Sequence, residues 1–174
     1  MVMVNALFVI SELDGLVKTG GLADVARHLP IELNKQGTNT IIALPHYQAI
    51  DKTLDTNIKT SVIKSYSLPL LSDPVNSQNQ NEISVTVRQL KLNELSIYTF
   101  EVDDLFARDG LYDSDYQAFA DNGVRFGLFS YAVVSFFASF GKELNFEPNI
   151  VHCNDWHTGL VPLFAKQFLP LSRT

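Results

Sequence analysis

The opening 45 residues admit few folds. Residues 4–10 form an almost unbroken apolar run that ends at Ser11-Glu12, which is how a strand covered on both faces reads. A glycine turn, Lys18-Thr19-Gly20-Gly21, follows it. Leu22, Val25, Ala26, Leu29 and Leu33 then recur at helical spacing, with Pro30 predicting a kink and Gly37 a stop. Residues 38–44 form a second strand, closed by Pro45. Strand, glycine turn, helix, strand is a right-handed crossover of the doubly wound α/β type. The fold class expected is therefore a Rossmann-like, mostly parallel sheet with helices on both faces.

The remainder extends this pattern less regularly. Residues 61–70, 83–90 and 95–102 read as extended, and the polar stretch 72–81 as a loop. Residues 103–115 read as a second polar loop, 122–140 as a long helix, 149–153 as a short strand, and 158–168 as a helix with Pro162 in its first turn. There is no internal repeat and no linker, so residues 1–174 read as one domain. Apolar residues make up 46% and charged residues 18%, a balance that suits a buried core. A net charge of −6 with 13 Lys and Arg leaves no basic stripe for nucleic acid and no attraction to anionic membranes. The apolar start lacks a basic leader and reads as a buried strand, and residues 126–140 read as a buried helix. A single cysteine, Cys153, excludes an intramolecular disulfide and is compatible with the reducing cytoplasm, the expected location.

Three stretches can carry chemistry. At Lys18 to Asp24, two glycines let backbone amides approach an anion, the next helix begins with unpaired N–H groups, and Lys18 adds a charge. That suits a phosphate; a tight turn with a solvated lysine reads equally well. At His152-Cys153-Asn154-Asp155-Trp156-His157, a strand end places Asp155 and two histidines where ligands bind in open α/β sheets. Zinc held by His152, Cys153, Asp155 and His157 is disfavoured, because neighbours on a strand point to opposite faces. Asp155 as a helix cap and Trp156 as core are the structural alternatives. In the third stretch Asp121 or Asn122 reads as a helix N-cap with Arg125 on the solvent side. Tyr112 and Tyr116, in the preceding loop, are of a type that stacks on sugar rings, though loop tyrosines are common.

Taken together, Lys18-Thr19-Gly20-Gly21-Leu22-Ala23-Asp24-Val25, Asp121-Asn122 with Arg125-Phe126, and Val151 through Leu160 resemble the motifs of bacterial glycogen synthases and plant starch synthases, in the family's order. The resemblance implies the N-terminal half of a two-domain glycosyltransferase of the GT-B type. Such an enzyme transfers glucose from ADP-glucose to the 4-hydroxyl of an α-1,4-glucan such as glycogen or a maltooligosaccharide, with retention and with no metal or cofactor. It implies that Lys18, Gly20 and Gly21 bind the donor, that Asp155 lies at the catalytic centre, and that Tyr112 contacts the acceptor. It assigns Asp121, Asn122 and Arg125 to shaping the domain. Gly15 stands where relatives often carry Pro, predicting a looser turn, and Asn154 where some carry His. The family's next His-Asn motif and its C-terminal nucleotide domain are not in the sequence, so the chain alone is expected to be inactive. A standalone glucan-binding module, or half of another sugar-nucleotide transferase, are the alternatives. An unfinished sheet edge is also a candidate for pairing with a second copy.

Overall fold

The computed structural model describes residues 3–54, 58–69 and 82–169. The expected polar loop at 72–81 lies outside the described residues. A six-stranded sheet organises the chain, in the order β3-β4-β5-β2-β1-β8. Its strands are β1 (Val4–Val9), β2 (Thr38–Pro45), β3 (Thr60–Pro69), β4 (Glu82–Leu92), β5 (Leu95–Val102) and β8 (Ile150–Cys153). Strands β5, β2, β1 and β8 are mutually parallel, whereas β4 and β3 run antiparallel at one side. A short hairpin, β6 (Asp113–Ser114) with β7 (Gln117–Ala118), straddles the end of the polar loop expected at 103–115.

The parallel half follows from apolar runs that have no polar face. Leu7, Phe8, Val9, Ile42, Ala43 and Leu44 are all fully buried. Helix α1 (Leu22–Lys35) runs as one helix through Pro30, the residue expected to kink it, which is buried. It ends at Gln36, with Gly37 at φ +91° taking the left-handed position past the helix. A short helix not expected from the sequence, α2 (Gln48–Leu54), follows β2. Helix α3 (Asn122–Phe140) packs its aromatics on β5, with Phe100 edge-on to Phe129 and Phe136. It is long and apolar enough to cross a bilayer, but its large side chains are spent on the core: Phe126, Phe129, Phe136 and Phe137 are buried. The last helix, α4 (Val161–Phe168), begins later than expected, because a 3-10 turn at Trp156–Thr158 precedes it.

The direction of chain travel across the sheet reverses. From β1 through α1 it steps one way to β2; from β5 through α3 it steps back past β2 and β1 to β8. Right-handed crossovers in opposite directions place α1 and α3 on opposite faces of the sheet. They also open a crevice beyond the carboxyl ends of β1 and β8, the topological switch point.

Candidate functional site

Two loops leave the sheet at that switch point, one from β1 and one from β8. The first begins Ser11-Glu12, and Glu12 is only 3% exposed. A buried carboxylate must be satisfied, and this one is. Its Oε2 accepts from the backbone N–H groups of Thr19 (2.7 Å) and Gly20 (3.1 Å). Its Oε1 accepts from Thr19 Oγ1 (2.6 Å) and from Tyr112 Oη (2.8 Å). Burial alone would raise its pKa, but the bonds from Thr19, Tyr112 and Gly20 outweigh that and hold it below the usual carboxylate value. Sequence reasoning passed over Glu12 as the polar end of a strand; the one available signal was a carboxylate that close to an apolar run.

Tyr112 is therefore not a free loop aromatic. With its O–H donated to Glu12, its hydroxyl oxygen accepts from Ser11 Oγ at 2.7 Å. Its ring lies 4.3 Å from that of His157, centroid to centroid, and burial pushes its phenol well above the ordinary value. The loop that carries it is held by the third motif. Arg125 is fully buried rather than on the solvent side. Its guanidinium donates to the carbonyls of Leu105 and Leu111 and to Asn122 Oδ1, and it lies against the rings of Phe106, Phe119 and Phe126. Asn122 donates in turn to the Tyr112 carbonyl at 2.8 Å. Asp121 makes no side-chain cap; it takes a two-pronged bond from Arg108, which lowers its pKa.

At the end of β8, Asn154 donates to the Val9 carbonyl (2.9 Å) and so ties the two loops' roots together. Asp155 follows at φ 62° and ψ 177°, a conformation that non-glycine residues rarely adopt and that costs of order 1–3 kcal/mol. It is exposed and caps the 3-10 turn by accepting from Trp156 N. Trp156 is not core: it is 53% exposed and borders a shallow cleft of about 150 Å³ with Asn122, Phe126 and Leu160. His157 is the buried one, at 4%, with both ring nitrogens lacking partners among the described residues. Burial lowers its pKa to about 4 against the pull of Asp155 and Glu12. Asp155 and Glu12 also act together on Tyr112, so the ends of β1 and β8 form one electrostatic cluster.

The glycine turn lies on this cluster's rim. Neither Gly20 nor Gly21 has a positive φ, and a Cβ built on either meets nothing within 4 Å. The fold itself does not require glycine there. Lys18 is exposed and paired with Asp24 (2.6 Å) and Asp14 (3.3 Å), which raises its pKa. No bond joins it to Tyr112 or Asp155 among the described residues. The turn before it is not loose: the Leu13 and Val17 backbones bridge, with Gly15 between them at φ +91°, where Pro cannot fit. For zinc, no cluster of three or more His, Cys, Asp or Glu occurs among the described residues. The His152 ring lies on Phe8, and burial pushes the Cys153 thiol up to about 11.

Comparison with known proteins bears on this geometry. The chain is 42% identical over 160 residues to a glycogen synthase of Aeromonas salmonicida, and 41% identical over 160 residues to one of Photobacterium profundum. Each match covers 92% of this chain but only 30% and 29% of the relative, so the chain spans about a third of their length. The catalytic domain of starch synthase IV from Arabidopsis thaliana, solved with ADP and acarbose, shares the fold with a TM-score of 0.69 at 22% identity, over 97% of this chain and 32% of that one. Residues 5–173 match the family described as the starch synthase catalytic domain, and the chain belongs to that family.

Proposed function

We propose that this chain supplies one wall of the active site of a glycogen synthase, as the N-terminal domain of a two-domain enzyme. The full enzyme would transfer glucose from ADP-glucose to the 4-hydroxyl of an α-1,4-glucan with retention. The observation that carries the reading is the glycine pair at the switch point. Gly20 and Gly21 border open space and carry no side chain, so a ligand can approach the backbone closely from outside. The start of α1 behind them provides unpaired N–H groups and a partial positive charge, suited to a diphosphate. Lys18 would exchange its carboxylate partners for the donor's phosphates. Asp155, strained and exposed at the adjoining strand end, would face the transferred glucose as positive charge develops at its anomeric carbon. Tyr112 and the exposed face of Trp156 would offer aromatic surface to the glucan.

Glucose transfer leaves a diphosphate whose charge must be stabilised in a closed site. One lysine and one helix end on an open surface supply part of that, and loss of a single such donor costs about 10²–10³ in rate. The 174-residue chain is therefore expected to give no measurable transfer from ADP-glucose to glycogen. Fused to the remaining C-terminal part of the Aeromonas salmonicida relative, it is expected to gain transfer, and Asp155→Asn in that fusion to lose about 10²-fold or more. Robust turnover by the chain alone, or a folded fusion that prefers UDP-glucose, would contradict the reading.

A further inference from the structure

The two regions assigned above to donor and acceptor meet at one buried carboxylate. Glu12 Oε2 holds the amides of Thr19 and Gly20, at the glycine turn. Its Oε1 holds the hydroxyls of Thr19 and Tyr112. All four bonds are between 2.6 and 3.1 Å, and the carboxylate is only 3% exposed, so water does not stand in for a lost partner. Tyr112 in turn is locked by Ser11 on one side and, through its carbonyl, by Asn122 on the other. A displacement of Tyr112 must pull on Oε1, and rotation of the carboxylate must then move the amides on Oε2. Charge-assisted bonds in a dry setting transmit such a change strongly.

We propose that Glu12 is a positioning residue that couples the two subsites, so that glucan on Tyr112 tightens the grip of the glycine turn on a nucleotide sugar, and the reverse. The reciprocity is required of any such coupling. The identity of the two ligands rests on the reading given under Proposed function; the mechanical link does not.

The link can be tested without ligand, by amide NMR of the full chain. Tyr112→Phe keeps the ring and removes the hydroxyl with its bonds to Glu12 and Ser11. It is expected to shift the Thr19 and Gly20 amide resonances. The same change made on Glu12→Gln is expected to move them far less, because the relay is already weakened. Calorimetry then reads the coupling itself: saturating maltoheptaose is expected to raise ADP-glucose affinity roughly fivefold or more in the parent chain. That gain is expected to be lost in Tyr112→Phe and in Glu12→Gln, whereas a residue that merely supports the fold would lower both affinities and leave the ratio intact. Should Glu12→Gln fail to fold, Thr19→Val, which removes one Oε1 bond, takes its place, and the Tyr112 ring resonances are expected to move. Unmoved amides in Tyr112→Phe, or equal shifts in both backgrounds, would overturn the proposal, as would binding of both ligands with no mutual effect. If the parent chain binds neither ligand, the functional reading fails, while the amide shifts still decide whether the relay exists.

Discussion

At the scale of single residues, what the site uses and what the fold uses can be separated. Gly21 sits at φ −68° with open space beyond it, so Gly21→Ala is expected to leave thermal stability unchanged or raised by up to about 1 kcal/mol. Calorimetric titration is expected to show weakened ADP-glucose binding in the same variant. His157 separates in the opposite sense. Its folded pKa of about 4 lies below the ordinary 6.5, so the unfolded chain takes up a proton first as pH falls. The stability it contributes is full above pH 6.5 and declines by up to about 3 kcal/mol toward pH 4. Denaturant melts across that range are expected to show a shallower slope for His157→Phe, whose ring suits the aromatic surroundings. Asp155 and the glycines lie in the loops after β8 and before α1, as read from sequence, because strand ends and paired glycines have local signals. Sequence reasoning missed Glu12 and misplaced Arg125 because a charged residue is read as solvated unless its partners are visible. Those partners, Tyr112 for one and Leu105 with Leu111 for the other, lie far along the chain.

At the scale of elements, the loop between β5 and α3 determines where Tyr112 stands. Arg125 fastens it from beneath, and Arg125→Met would strand the carbonyls of Leu105 and Leu111 in the interior. A loss of about 3 kcal/mol in denaturant melts is expected. Gly110 pins the same loop from within: at φ +80°, a Cβ there would collide with the Asp113 carbonyl oxygen. Gly110→Ala is expected to destabilise the loop, lower the melting temperature and weaken glucan binding together, in contrast to Gly21→Ala. Elements with long periods, α1 and α3, were legible almost to their ends, since many residues vote for one face. The two-residue strands β6 and β7 have no period to read, and the start of α4 was misjudged because a 3-10 turn carries the same residues as a helical first turn.

At the scale of the whole molecule, the parallel half of the sheet was legible from its apolar runs, whereas the strand order that makes the switch point was not. The antiparallel side was not, because strand direction is set by tertiary pairing and leaves no mark in a single strand's composition. The site depends on the legible half: the ends of β1 and β8 come together only because the chain reverses its direction across the sheet. The central claim is that this crevice is where nucleotide sugar and glucan meet. Backbone amide NMR of the full chain, titrated to millimolar ADP-glucose and then maltoheptaose, tests it most directly. The account predicts saturable shifts at Lys18 to Leu22 with the first ligand and at Tyr112, Asp155 and Trp156 with the second. Saturable shifts confined to another surface, or no saturable shift with either ligand, would contradict it.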